Sequence, residues 1–165
     1  MFDMIKKLLF LPVFMMMIFI AGCNKTVTRA GCTATEATVV APANEIAFIQ
    51  AYLTTNGLTA IQAPSGFFYS ISTQGTGAKP TLCSNVTVKY AGYLFNGFKF
   101  DESLTGASFT LNNLIIGWQQ GMELLNNGGS MILYIPPSLG YGSLPNGIIP
   151  ANSYLRFTLQ LINVQ

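Results

Sequence analysis

From Gly66 to the C-terminus the chain alternates apolar and polar residues with period two, and a single segment breaks that rhythm. GFFYSIS (Gly66 to Ser72), VTVKYAGYLF (Val86 to Phe95), SFTL (Ser108 to Leu111), SMILYIP (Ser130 to Pro136) and SYLRFTLQLINV (Ser153 to Val164) read as strands. In the last, Leu155, Phe157, Leu159 and Leu161 share one face. Asn96-Gly97 is a strong hairpin signal, because a tight two-residue turn needs positive φ angles. The interrupting segment, LIIGWQQGMELL, places Leu114, Trp118, Met122 and Leu125 on one helical face. One helix laid across an antiparallel sheet lets both apolar faces be buried, which predicts an α+β domain.

The N-terminal part follows other rules. Lys6 and Lys7 precede an apolar run from Leu8 to Ile20, shorter than the roughly 20 residues of a membrane span, which marks a secretory signal. Its end, Ile20-Ala21-Gly22-Cys23, resembles the bacterial lipobox, so residues 1–22 are expected to be removed and Cys23 acylated. A plain signal anchor, or an ordinary cleavage site with Cys23 buried, is the alternative. Two or three acyl chains would anchor the protein stably to a bilayer. Asn24 is not the acidic residue that retains some lipoproteins at the inner membrane, which favours the outer one, with the domain in the periplasm or at the cell surface.

Residues 23–43, rich in Thr, Ala and Val and without a pattern, read as a tether. Residues 44–63 are read as one short helical unit: Asn44 can cap, Ile46, Ile49 and Leu53 recur at helical spacing, and Gly57 ends the run. The main domain is then 64–165. Beyond Cys23 two cysteines remain, Cys32 and Cys83. They either pair, closing a loop of about 50 residues for roughly 4 kcal/mol in the chain-entropy model, or stay as two free thiols.

Lys25, Arg29, Lys79, Lys89, Lys99 and Arg156 nearly balance the acidic residues beyond the leader and form no cluster, which argues against a nucleic-acid partner. The chain has no histidine, so neither Ser-His nor Cys-His nucleophilic chemistry nor the usual zinc sites can be assembled. No metal or cofactor is expected.

Three stretches in this order, VKYAGYLFNGFKFDES, LIIGWQQGMELL and YGSLPNGIIPANSYLRFTLQLINV, resemble the FKBP-type peptidyl-prolyl isomerases over about residues 64 to 165. The resemblance implies a twisted antiparallel half-barrel sheet wrapped around one short helix. It also implies a pocket between them with Trp118 as floor and Tyr90, Phe100, Leu114, Ile115 and Phe157 as walls. Tyr141 would offer its hydroxyl, and Ile115 its backbone N–H, to substrate carbonyls. Asp101 would sit at the rim facing the imide bond, so that Asp101, Tyr141, Trp118 and Phe100 form the catalytic group. Ile148 would belong to a loop overhanging the substrate. Ala107 stands where some family members carry an aromatic, and Glu102, Ser103, Leu104 and Thr105 supply no cation for Asp101.

Taken residue by residue, the same aromatics would equally serve as core, Asp101 as an Asx-turn residue and Tyr141 as a turn tyrosine. The activity implied is prolyl cis/trans isomerisation of unfolded, proline-containing exported polypeptides. Alternatives on the same fold are a chaperone that binds prolyl segments and a structural lipoprotein with little catalysis. With no long apolar helix left over, a monomer is expected, its short helix packed on its own domain.

Overall fold

The computed structural model describes residues 25–165 apart from Ala30, so the leader and Cys23 lie outside the described residues. Its centre is a six-stranded sheet. The strands are β3 (Ile61–Gln62), β4 (Phe68–Thr73), β5 (Asn85–Leu94), β6 (Lys99–Thr110), β7 (Ser130–Ile135) and β8 (Leu155–Val164). They run in the order β3-β4-β7-β8-β5-β6, every neighbouring pair antiparallel. Alternation is clearest on β8, where Leu155, Phe157, Leu159 and Leu161 are all buried. They meet Val86 and Val88 of β5 and Leu133 and Ile135 of β7 in one core. Each aliphatic side chain so buried contributes about 1.5–3 kcal/mol.

Helix α2 (Ile116–Met122) packs on the core face of the sheet and buries Trp118 and Met122. It approaches closely because Gly117 and Gly121 face β7: a Cβ at either would lie 2.7 Å from the side chain of Ile135 or Leu133. The helix is shorter than its apolar spacing suggests. Leu114 precedes it, closing a 3-10 turn over Leu111–Asn113, and Leu125 is buried beyond its end.

Three further features differ from expectation. Ser108 to Thr110 of SFTL are the end of one continuous strand, because β6 runs without a break from Lys99 to Thr110, and Leu111 opens the 3-10 turn. Its register against β5 slips between Val88 and Tyr90, which pair with Ala107 and Ser103, so the extra residues of β6 bulge out. The N-terminal helix, α1 (Ala43–Thr55), begins earlier: Pro42 occupies the N-cap and Asn44 lies inside the first turn. Proline suits a helix start, since its missing N–H would have no partner there. Its unit ends as strand, with Ile61 and Gln62 pairing with Tyr69 and Phe68. Helix α1 packs Ile49 and Leu53 against Phe68 and Tyr134, and its Glu45 Oε2 accepts hydrogen bonds from Ser138 N (3.1 Å) and Oγ (2.7 Å).

The third difference is the presumed tether. Its described part holds a hairpin of β1 (Thr26–Arg29) and β2 (Cys32–Thr35). A Cys32–Cys83 disulfide fastens the hairpin to the domain, with Cα atoms 5.9 Å apart. Ala34 and Leu82 are buried beside that bond. Lys25 Nζ reaches Glu123 Oε2 at 3.7 Å, and Gln120 Nε2 donates to the Ala37 carbonyl at 3.2 Å.

Candidate functional site

Between α2, the β5–β6 edge and β8 lies a pocket of about 170 Å³. Its floor is Trp118, 4% exposed. Three rings stand almost perpendicular to the indole: Tyr90 at 5.3 Å and 83°, Phe109 at 6.0 Å and 84°, and Phe157 at 5.1 Å and 87° between centroids. Edge-to-face contacts set the positive rim of one ring against the negative face of another, which fixes the cluster beyond mere burial. Phe157 reaches it because β8 directs that residue inward, opposite Gly92 of β5 and Leu133 of β7. Gly92 is required here: a Cβ would lie 2.7 Å from the rings of both Phe100 and Phe157.

The polar groups are few. Tyr90 Oη donates to Asp101 Oδ2 at 2.7 Å across β5 and β6. Burial first, and that bond second, push the Tyr90 phenol far above its ordinary value. Burial, followed by the Asp101 charge, also raises Tyr141. Both phenols therefore stay protonated donors through neutral pH. Lys99, the nearest lysine in sequence, pairs with Glu102 at 2.6 Å, and among the described residues no cation lies within ion-pair distance of Asp101. The Ile115 N–H has no acceptor among the described residues, while the Ile115 carbonyl accepts from Trp118 N and Gln119 N. The site thus offers a ring-lined hollow, one rim carboxylate held by the Tyr90 phenol, the Tyr141 phenol and, without partners among the described residues, the Trp118 indole N–H and the Ile115 backbone N–H.

Seven residues named from the sequence, Tyr90, Asp101, Leu114, Ile115, Trp118, Tyr141 and Phe157, line this one pocket. Two do not. Phe100 stands behind the wall, edge-on to Phe157 at 5.5 Å and 88°. Ile148 is 65% exposed on its loop and stands outside the lining, with Ile149 the buried member of that pair. Phe109 and Asn113 line the pocket and were missed. Phe109 supplies an aromatic two residues beyond Ala107; its signal was the alternation of SFTL, whose register only the bulge on β6 sets.

A larger groove of about 520 Å³ lies beside the N-terminal hairpin, with Lys25, Glu36, Tyr69 and Glu123 among its walls. It is open and lined by mixed side chains, whereas the perpendicular rings converge on the smaller hollow.

A half-barrel sheet closed by one short helix over a ring-lined hollow defines the class of FKBP-like α+β domains, and solved structures agree. FkpA from Escherichia coli superposes with a TM-score of 0.68 at 33% identity, over 74% of this chain and 60% of that one. A peptidyl-prolyl cis-trans isomerase from Pseudomonas syringae gives a TM-score of 0.65 at 28% identity, over 76% of this chain and 97% of that one. The sequence signature of the family described as FKBP-type peptidyl-prolyl cis-trans isomerase matches residues 77–162, and the chain belongs to that family. Among curated relatives, the FKBP-type peptidyl-prolyl cis-trans isomerase FkpA of Aeromonas hydrophila is 39% identical over 104 residues, 61% of this chain and 39% of that protein. The peptidyl-prolyl cis-trans isomerase Mip of Coxiella burnetii is 38% identical over 105 residues, 61% of this chain and 46% of that protein. The chain spans less than half the length of these two relatives.

Proposed function

We propose that this protein catalyses cis/trans isomerisation of X-Pro bonds in unfolded polypeptides and so assists the folding of exported proteins. The observation that carries the reading is the set of three rings standing edge-on to Trp118 with the Tyr90–Asp101 pair at their rim. Rotation about a peptide bond meets a barrier of about 18–20 kcal/mol that arises from resonance, while the two X-Pro isomers differ by only about 0.5–1 kcal/mol. A catalyst therefore needs neither nucleophile nor metal. It must bind the twisted amide better than the planar one, and about 4 kcal/mol of that preference gives a thousandfold acceleration.

In this reading the prolyl ring sits on Trp118 between Tyr90, Phe109 and Phe157, away from the water that favours the polar planar amide. Tyr141 Oη and the Ile115 N–H hold the flanking carbonyls. Asp101, kept in place by Tyr90, presents its carboxylate to the imide as conjugation is lost. Phe100 acts through Phe157 by supporting that wall, and Ile148 meets the chain only outside the pocket.

The protein acts in the cell envelope as a monomer, held by acyl groups on Cys23 in the outer membrane in preference to the inner. What supports this part is the lipobox-like Ile20-Ala21-Gly22-Cys23 and the cross-linking of Cys32 to Cys83, since disulfides persist in oxidising compartments. Metabolic labelling with palmitate is expected to mark the wild type and not Cys23→Ser; label in both, or in neither, removes the anchor from the account.

The activity is tested by a protease-coupled proline-peptide assay on the soluble fragment from Thr26 onward. Wild type is expected to turn over and Trp118→Leu to lose at least tenfold in kcat/KM. Binding of the peptide without turnover would instead identify a chaperone module, to which the exposed Leu144 and Ile148 would lend apolar surface.

A further inference from the structure

We propose that Gln119 is a positioning residue that aims the Ile115 N–H into the pocket. The inference rests on the reading of that pocket as a prolyl site and adds a residue to it. Gln119 is the middle residue of α2, directly after the floor residue Trp118, and does not line the pocket. Its Nε2 donates to the Leu114 carbonyl at 2.7 Å and to the Asn112 carbonyl at 3.2 Å. Both acceptors are carbonyl oxygens, so only the NH2 end of the amide can face them.

The bond to Leu114 matters because of what lies at the other end of the same peptide unit. The Leu114 carbonyl and the Ile115 N–H belong to one planar group and point in opposite directions. Holding the oxygen therefore fixes the direction of the hydrogen. Accepting a bond at the oxygen also polarises the N–H and makes it a stronger donor. This peptide needs such a hold. It lies between a 3-10 turn and α2, outside both ladders, with Leu114 at ψ 169° and Ile115 at φ −60°. The second bond, to Asn112, ties the preceding turn to the helix, and Asn112 N in turn donates to the Leu82 carbonyl at 3.0 Å, next to the disulfide-bonded Cys83. The lip of the pocket is thus held from two sides.

A donor that grips a carbonyl away from the twisting bond binds ground and transition states alike, so its misalignment should appear in KM. The test compares wild type, Gln119→Leu, Gln119→Glu and Gln119→Lys in the full soluble domain, by peptide kinetics and by the 15N–1H resonance of Ile115. Gln119→Leu is expected to displace that resonance and raise KM about tenfold with kcat within twofold. Gln119→Lys, which restores a donor, is expected to bring KM back to within threefold. Gln119→Glu, isosteric but unable to donate when ionised, gives the same reading should the leucine variant fail to fold. An Ile115 resonance unmoved in a folded Leu or Glu variant, or a KM within twofold of wild type, would overturn the assignment. A wild type without any turnover would sink the prolyl reading alone, and the Ile115 resonance would still decide the role of Gln119.

Discussion

Tyr90 and Asp101 form, among the described residues, the one side-chain hydrogen bond between two lining residues of the hollow, at 2.7 Å between Oη and Oδ2. Without a cation beside it, the Asp101 carboxylate depends on that phenol for its orientation. Tyr90→Phe is therefore expected to lower kcat several-fold with little change in KM, read in the peptide assay, because in the proposed reaction the carboxylate acts on the twisting bond. Both phenols titrate above the ordinary tyrosine value of about 10, so their folded forms hold the proton more tightly than the unfolded chain does. Stability from this source is complete below pH about 10 and declines as pH rises through the folded values. Thermal unfolding followed against pH should show a plateau at neutral pH and a fall only above about 10; a fall between 7 and 9 would contradict it.

Helix α2 shows what could be read from sequence at the scale of an element and what could not. Trp118 and Met122 were legible as an apolar stripe, since the 3.6-residue period depends on local geometry alone. The helix ends were not, because Leu125 packs in the core and Leu114 against the pocket whether or not they are helical. Phe109 was hidden for a related reason: the bulge between Ser103 and Ala107 decides which face of β6 meets the pocket, and alternation does not register a bulge. The hairpin at residues 26–35 was hidden because its strands are four residues long and its inward side chains, Val27, Cys32 and Ala34, are small ones between threonines. The helix also gives a direct stability prediction. Gly121→Ala would place a Cβ 2.7 Å from Leu133, and although alanine is the better helix former, overpacking should dominate and cost about 1–3 kcal/mol in denaturant unfolding.

On the scale of the whole molecule, the N-terminal hairpin, the disulfide and α1 turn what reads as a leash into part of the folded body. Cys32 and Cys83 are 51 positions apart, and closing a loop of that size restricts the unfolded chain by about 4 kcal/mol. Chemical denaturation with and without a dithiol reductant should differ by several kcal/mol, and a Cys32→Ser, Cys83→Ser double variant should behave like the reduced form. The proposed activity should persist in that variant at temperatures where it stays folded, since the disulfide reaches the lip through Leu82 and Asn112, neither of which lines the pocket.

The central claim is that prolyl segments bind on Trp118, and the chain has only this one tryptophan. Its fluorescence therefore reports the pocket without any label. Titration of the soluble domain with a short proline-containing peptide should change that emission saturably, and an alanine-for-proline peptide should not. Emission that stays constant while the same preparation accelerates peptide isomerisation would place the active site elsewhere.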